Sequence, residues 1–195
     1  MIELGNWKHL CIDMQRLFAE DTPWHVEWMT GVLPQVEEVS GRFPHRTIFT
    51  RFVPPVHARD MRGTWQDYYA KWWMLTREHL AAELVELVPS LAKLAPPAKI
   101  FDKRTYSPWI EGGLHATLVH EEVETLVFTG GETDVCVLAA VLGAIDLGYR
   151  VVLLSDGVCS GEDGTHDASL KLLGDRFSVQ LDLQTTEEFL RNVIV

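Results

Sequence analysis

The sequence contains few cysteines, few positive charges and no long apolar run, and each shortage excludes a class of protein. Its three cysteines, Cys11, Cys136 and Cys159, are too few and too scattered for a disulfide framework or a zinc site. They fit a reducing cytoplasm, where we expect the protein to reside. Lys and Arg total 17 against 28 Asp and Glu, for a formal net charge of −11. With no basic cluster either, nucleic acid is not an expected partner.

No segment has the length of a transmembrane helix, and the N-terminus lacks the charged-then-apolar form of a signal peptide, so no membrane partner is expected. The chain also shows no internal repeat, low-complexity tract or linker. Hydrophobic residues make up 47% and charged residues 23% of the chain, which is ordinary for a globular protein. We therefore predict one domain over residues 1–195, long enough to bury a sizeable core.

Strand-like and helix-like segments alternate along the chain. The predicted strands are 8–13, 47–53, 98–102, 125–130, 150–155 and 177–183. The predicted helices are 24–41 (disturbed by Pro34), 64–80, 111–120, 133–147, 165–176 and a last one after Thr185. This alternation predicts an α/β fold of three αβα layers, in which a six-stranded, mostly parallel, Rossmann-like sheet carries helices on both faces.

The most informative segment joins the strand at 125–130 through a glycine pair to a helix that carries Cys136 in its opening turns. Thr133 or Asp134 is predicted to cap this helix. In a parallel sheet such a junction lies at the carboxyl edge, where α/β proteins bind ligands. A thiol at a helix N-terminus is expected to have a lowered pKa and to favour the thiolate. The alternative is a cysteine that only fills the core.

Two other predicted strands end in charged residues. The first ends at Asp13, and the strand at 98–102 is followed at once by Lys103. Their ends converge with the Cys136 junction on one sheet edge, which is what a nucleophile, its proton-transfer partner and a charge orienter need. Taken singly, Asp13 could cap a turn and Lys103 could be a solvated charge. Phosphate binding by the glycine pair is disfavoured because no nucleotide motif is present and Glu132 would repel an anion.

With these residues the chain resembles the isochorismatase-like cysteine hydrolases, which include nicotinamidases, N-carbamoylsarcosine and ureidoacrylate amidohydrolases, and isochorismatase itself. The matching motifs are D-x-Q-x-x-F at Asp13, Gln15 and Phe18, F-D-K-R-T-Y-S around Lys103, and G-G-E-T-D-V-C-V around Cys136. The resemblance implies a catalytic triad of Asp13, Lys103 and Cys136.

The resemblance also implies a cis peptide at Gly131–Glu132 and an oxyanion hole built from the backbone N–H groups of Glu132 and Cys136. The implied reaction is hydrolysis of a C–N bond in a small amide or ureido/carbamoyl compound through a covalent thioester. No cofactor is implied, and a homo-oligomer, dimer or tetramer, is expected. Two alternatives stay open. One is vinyl-ether cleavage of an isochorismate-like dicarboxylate, for which only Arg104 lies close to a motif; the other is a non-catalytic binding or assembly protein on the same fold.

A helix rich in aromatic residues has two interpretations. Trp65, Tyr68, Tyr69 and Trp72 share one helical face, which favours a core or subunit-interface stripe. The alternative is that Trp65 closes one wall of the substrate pocket. The residues predicted to line that pocket are Phe18, Trp65 and Tyr106.

Nicotinamidases carry a D-x-H…H cluster after the second strand that holds a divalent ion. Residues 50–63 of this chain supply only His57 and Asp60 there, which is not the required set of ligands. We therefore predict no metal site and regard nicotinamide as a less favoured substrate. His57, His166 and Asp167 could be ligands, but loop packing or helix capping is the favoured interpretation of all three.

Overall fold

The computed structural model describes residues 4–193, and one six-stranded sheet runs through this part of the chain. Its strands are β1 (Trp7–Ile12), β2 (Thr47–Phe52), β3 (Lys99–Lys103), β4 (Thr125–Gly131), β5 (Arg150–Cys159) and β6 (Leu181–Gln184). They lie in the order β3-β2-β1-β4-β5-β6, and every neighbouring pair is parallel. The predicted α/β fold is confirmed, with a sheet that is parallel throughout rather than mostly parallel.

Helices connect the strands. The α-helices are α1 (Arg16–Ala19), α2 (Met29–Arg42), α3 (Thr64–Lys71), α4 (Pro89–Ala92), α5 (Leu114–His120), α6 (Leu138–Asp146), α7 (Asp163–Arg176) and α8 (Thr186–Asn192). Short 3-10 helices occur at Pro44–Arg46, Ala58–Asp60, Trp73–Leu75 and Ala82–Val85, and a π-helical turn at Thr133–Val137. No helix within residues 4–193 is long and apolar enough to cross a membrane.

Both faces of the sheet are covered, because successive side chains of a strand point to opposite sides. In β1, Leu10 and Ile12 pack with residues of α5, α6 and α7. Cys11, between them, packs on the other face with residues of α1, α2, α3 and α4. Trp7 joins a third cluster with Val39 of α2 and Phe189 of α8. The three predicted layers follow from this alternation.

The chain reverses direction across the sheet between β1 and β4. It first builds outward from β1 to β2 and β3, and then returns to place β4 on the other side of β1. Ligand crevices in open α/β sheets lie outside the carboxyl ends of the strands at such a reversal. Gly130 allows a close approach there, because it adopts a φ of +109° and a Cβ would lie 2.1 Å from the carbonyl oxygen of Ile12.

Several element boundaries differ from the sequence predictions. The helix predicted at 64–80 ends at Lys71, where Trp72 leaves helical dihedral angles. The strand predicted at 150–155 extends to Cys159 after an irregularity in its pairing with β4. The strand predicted at 177–183 starts only at Leu181, because the Phe177 carbonyl first accepts two backbone hydrogen bonds in a turn. The first long helix starts at Met29 and continues through Pro34.

His9 is a completely buried histidine in the middle of the sheet. Its ring nitrogens lie 3.1 Å from Thr47 Oγ1 and 2.8 Å from Thr129 Oγ1. Burial lowers the pKa of His9 from 6.5 to about 3. Between about pH 6.5 and pH 3, His9 is therefore protonated in the unfolded chain but not in the folded protein. We predict that this residue alone lowers the free energy of unfolding by about 2 kcal/mol between pH 8 and pH 5.

The measurement is urea unfolding at both pH values for the unmodified protein and for His9→Gln. The variant should show a smaller loss on acidification, because glutamine does not titrate. His120→Gln, at the exposed end of α5, is the matched control and should keep the full loss. The same pH dependence in all three proteins would contradict the assignment to His9.

Candidate active site

Three side chains from separate strands meet at the carboxyl edge of the sheet. Asp13 follows β1, Lys103 is the last residue of β3, and Cys136 lies in the π-helical turn after β4. Lys103 Nζ lies 2.6 Å from Asp13 Oδ2 and 3.5 Å from Cys136 Sγ. The side chains of Lys103 and Asp13 are 0% and 1% exposed, and Cys136 is buried. Lys103 thus contacts both of the other predicted residues, Asp13 and Cys136.

Lys103 is held as a buried cation. It is the buried residue of an edge strand whose other positions are exposed or half-buried. Its ammonium group donates to the Thr105 carbonyl at 3.2 Å and to Cys136 Sγ at 3.5 Å, and it pairs with the Asp13 carboxylate at 2.6 Å. Burial lowers the pKa of Lys103, but the Asp13 carboxylate and the contact with Cys136 outweigh this and the pKa is raised. The site therefore keeps a positive charge beside the thiol.

Asp13 is fixed from two sides. Its backbone has a φ of +50°, a left-handed conformation that aspartate and asparagine tolerate better than most residues. The hydroxyl of Thr50, in β2, accepts from the Asp13 N–H at 3.1 Å and donates to Oδ1 at 2.6 Å. Oδ1 is thus bound by Thr50 and Oδ2 by Lys103, which sets the plane of the carboxylate. Sequence reasoning missed Thr50, because a threonine inside a buried strand gives no distinguishing signal.

Gln15 of the D-x-Q motif has a positioning role. Its side-chain amide accepts from Phe52 N–H at 2.7 Å and donates to the Phe52 and Val85 carbonyls at 3.1 and 2.6 Å. These bonds tie the segment after β1 to the end of β2. Gln15 therefore orients the backbone around Asp13.

The turn that carries Cys136 is wider than an α-helical turn. The Glu132 carbonyl accepts hydrogen bonds from the N–H groups of Val135 and Val137. It accepts none from the N–H group of Cys136, which lies between them. The peptide bond between Gly131 and Glu132 is cis. π-Helical turns occur frequently at functional sites. The Cys136 N–H group therefore does not donate to the Glu132 carbonyl. This N–H group is one of the two donors expected for an oxyanion hole.

Residues 160–166 hold the same turn from outside. The Ser160 hydroxyl donates to Asp134 Oδ1 at 2.6 Å, and His166 Nδ1 lies 2.9 Å from the Thr133 hydroxyl. Thr133 and Asp134 were predicted as helix caps; this is wrong, since neither side chain bonds to the helix terminus. Their hydrogen-bonding groups instead fasten the cysteine turn to the segment after β5.

Burial is the largest influence on the pKa values of all three cysteines. It raises the pKa of Cys136; Lys103 opposes the change, and the charge and hydrogen bond of Asp13 add to it. The expected lowering of the Cys136 pKa by the helix N-terminus is therefore wrong, because burial outweighs it and favours the neutral thiol. Burial likewise raises the pKa of Cys11, and that of Cys159 to about 12.

A cavity of about 280 Å³ opens onto Cys136. Its lining residues are Phe18, Pro23, Trp24, His25, Phe52, Tyr68, Trp72, Tyr106, Glu132, Val135 and Cys136. Phe18 and Tyr106 thus lie where the sequence placed them. Trp65 does not line this cavity; it packs against Tyr106 at a centroid distance of 4.8 Å and lines a neighbouring cavity.

Trp24 organises the aromatic wall of the cavity, and sequence reasoning missed it. Its ring stacks on Phe18 at 6.2 Å and contacts Phe52 and Trp72 edge-on at 5.8 and 6.1 Å. Trp24 lies in a loop, where no periodicity predicts the direction of a side chain. Tyr68 and Trp72 belong to the stripe assigned to the core or an interface, and the signal available for them was their spacing of four residues.

The residues after β2 do not fit a metal ion. His57 Nδ1 lies 2.9 Å from Glu78 Oε2, and Asp60 Oδ2 accepts from the His57 N–H at 2.9 Å. Across residues 4–193, no three or more His, Cys, Asp and Glu side chains are grouped so that they could hold an ion.

We predict that iodoacetamide modifies Cys136 first. Cys136 borders the cavity, whereas Cys11 and Cys159 are 0% exposed. Labelling should be slow, since the raised pKa keeps the thiol protonated. Peptide mapping after incorporation of one label per chain checks this, with Cys136→Ala as the control that should remain unlabelled. Earlier labelling of Cys159 would contradict the prediction.

Comparisons with known proteins identify relatives of this chain by sequence and by fold. The chain is 39% identical over 66 residues to Isochorismatase family protein 1A of Dictyostelium discoideum, and this covers 33% of the chain and 32% of that relative. The chain thus spans about a third of the length of this relative.

Solved structures share the fold over almost the whole chain. A cysteine hydrolase from Pseudomonas syringae has a TM-score of 0.83 at 22% identity, covering 97% of this chain and 93% of the other. Nicotinamidase/pyrazinamidase PncA from Bacillus subtilis has a TM-score of 0.75 at 19% identity, covering 91% and 99%. The isochorismatase domain family matches residues 9–185, and this chain therefore belongs to the isochorismatase family of hydrolases.

Proposed function

We propose that this protein is a cysteine hydrolase that cleaves the C–N bond of a small amide or ureido/carbamoyl compound through a thioester. The observation that carries the proposal is the contact of Cys136 with a buried Asp13–Lys103 ion pair at the edge of a cavity. A thiol, a proton acceptor and a fixed cation in contact are the groups that nucleophilic catalysis requires.

The first half of the proposed reaction acylates Cys136. Because the resting thiol is protonated, Asp13 takes its proton as sulfur attacks the carbonyl carbon. The carbonyl electrons move to oxygen, and the N–H groups of Glu132 and Cys136 stabilise this oxyanion, each contributing about 3 kcal/mol. The C–N bond then breaks, and Asp13 returns the proton to the departing nitrogen.

The second half releases the acid. Asp13 takes a proton from water, the hydroxide attacks the thioester carbonyl, and the C–S bond breaks as the thiol is restored. Lys103 does not transfer a proton in this scheme. Its raised pKa, its ion pair with Asp13 and its hydrogen bonds to Thr105 and Cys136 make it a fixed positive charge that orients Asp13.

The vinyl-ether alternative is less well supported. Its dicarboxylate substrate needs cations, but Arg104 pairs with Glu111 at 3.1 Å with half of its side chain exposed. Among the described residues, those lining the cavity include no arginine or lysine. A non-catalytic binding or assembly protein is also disfavoured, because it would have no use for a thiol beside a buried Asp13–Lys103 pair, and such a pair contributes little net stability.

The likeness to a nicotinamidase supports an amide substrate, whereas the residues at 50–63 disfavour nicotinamide itself. The test is a screen for released ammonia across carboxamides, carbamoyl compounds and nicotinamide, with isochorismate assayed in parallel. Turnover of an amide supports the proposal. Exclusive turnover of isochorismate would replace it with the ether-cleaving reaction. Assembly into a dimer or tetramer and a cytoplasmic location stay predictions from the sequence.

We predict that the reaction needs no metal ion. Asp13 supplies the base and Cys136 the nucleophile, so the proposed chemistry does not require metal-bound water. The measurement is hydrolysis of the best amide before and after exhaustive chelation, with elemental analysis of the dialysed protein. Activity lost on chelation and restored by one divalent ion would contradict the prediction and return nicotinamide to the leading substrates.

A further inference from the structure

The cavity next to Cys136 is lined by an acidic side chain and by no lysine or arginine among the described residues. The acid is Glu132, and His25, which also lines the cavity, is a titratable base. The Lys103 charge just beyond the thiol is already matched by Asp13 at 2.6 Å. A substrate anion would therefore meet a carboxylate and no unmatched cation.

The Glu132 side chain has capacity for a ligand. Its Oε1 accepts from the Gly161 N–H at 3.1 Å, and Oε2 accepts no hydrogen bond within the described part of the chain. Burial raises the pKa of Glu132, although the bond from Gly161 opposes this. A positive group in the cavity would pair with Oε2 and favour the ionised carboxylate.

His25 also presents an acceptor. Its Nδ1 lies 2.8 Å from the Glu20 carbonyl oxygen, which can only accept, so Nδ1 carries the proton. In the neutral ring Nε2 is then the acceptor. Together, Glu132 and His25 offer acceptor atoms, which suit a ligand that is positive or rich in N–H donors.

Aromatic rings form most of the remaining wall. Those that line the cavity are Phe18, Trp24, Phe52, Tyr68, Trp72 and Tyr106. Aromatic walls attract cations through the negative faces of the rings, most strongly when the cation is desolvated. Apolar rings alone would equally suit a neutral group, and the negative charge of the Glu132 carboxylate decides between the two.

From this arrangement we propose that the substrate of this site carries a cationic group, of the alkylammonium class, close to its amide. The inference rests on the proposed amidase function and adds the charge of the part of the substrate that does not react. The amide carbonyl lies against Cys136, and the ammonium group lies among the aromatic rings with Glu132 beside it.

The test measures binding without turnover in the Cys136→Ala protein. Three primary amides of similar size serve as probes. They are the cation trimethylammonioacetamide, its neutral isostere 3,3-dimethylbutanamide, and the anion malonamate. Titration followed by tryptophan fluorescence and calorimetry gives each Kd. The cation should bind about tenfold more tightly than its isostere, as expected for a desolvated cation–π site, and malonamate should bind most weakly. Equal affinities for cation and isostere, or no saturable binding of either, would overturn the proposal.

Glu132→Gln in the same background tests the carboxylate and should lower the ratio of cation to isostere affinity several-fold. The control is Asp67→Asn, which removes one negative charge from a residue lining the neighbouring cavity and should leave the ratio unchanged. An equal fall in both variants would mean that the general negative field, and not Glu132, selects the cation, and would overturn the assignment.

Turnover by the unaltered enzyme separates this inference from the proposed function. If 3,3-dimethylbutanamide is hydrolysed as fast as the cationic amide and the two bind equally well, the proposed cationic group is wrong. The proposed amidase function would still hold. Tight binding of the cation without hydrolysis of any amide would reject the amidase and leave the cation site standing.

Discussion

Replacing Cys136 with serine is expected to reduce amide hydrolysis to the background rate while leaving the fold intact. The hydroxyl is close to the thiol in size, but it is a far weaker acid and a poorer nucleophile. Burial already raises the pKa of the Cys136 thiol, so an alkoxide at this position would be still less accessible. Steady-state release of ammonia from the best amide measures the loss, and circular dichroism checks folding.

The matched control is Cys11→Ala. Cys11 lies in β1 on the sheet face opposite to that of Cys136 and is completely buried. Its loss should cost roughly 1 kcal/mol of stability and leave turnover unchanged at room temperature. If Cys136→Ser keeps a rate near that of the unaltered enzyme, the thioester mechanism is wrong.

The sequence predicts well that Asp13, Lys103 and Cys136 lie at one edge of the sheet, because strand ends are local features. Asp13, Lys103 and Cys136 each follow an apolar, β-rich run, and parallel pairing alone brings such ends to one edge of a sheet. The all-parallel strand order then places β1 and β4 side by side at the reversal point. Nothing beyond the period of the strands and the family motifs is needed for this part of the site.

The aromatic wall is predicted poorly because it depends on loops. Trp24 lies between α1 and α2, and its direction is set by contacts with Phe52 and Trp72, which are distant in sequence. Periodicity placed Tyr68 and Trp72 on one helix face, but it does not tell whether that face meets the core or a cavity. Trp65, one turn earlier, packs behind Tyr106 instead of facing Cys136.

The state of Cys136 was mispredicted for a related reason. The helix N-terminus is visible in the sequence and lowers the pKa of a thiol. The burial that outweighs it comes from β1, β4 and the surrounding helices. The balance between a local dipole and desolvation can be judged only when the packing is known.

Asp13→Asn is the second change with a large expected effect, and it should reduce both activity and stability. Asparagine tolerates the positive φ of this position but is not a proton acceptor, so the rate should fall by several orders of magnitude. The change also leaves the Lys103 cation buried without its counter-charge, and breaking such a pair costs about 3–5 kcal/mol. Ammonia release measures the first effect and urea unfolding the second.

The double variant Asp13→Asn/Lys103→Met separates the two effects. Methionine fills much the same space without a charge, and replacing both members of a buried pair is far less destabilising than replacing one. Stability should therefore largely recover while hydrolysis stays absent. Asp182→Asn serves as the control, because its pair with Arg150 is partly exposed and contributes about 0–1 kcal/mol.

Each outcome tests a different role of Asp13. Recovered activity in the double variant would show that Asp13 only neutralises Lys103, and the role of proton acceptor would have to pass to another group. Unchanged stability in Asp13→Asn would mean that the buried ion pair is not formed in solution. Loss of both properties in the single variant, with recovery of stability alone in the double, is the result that requires Asp13 to neutralise Lys103 and to take the proton of Cys136.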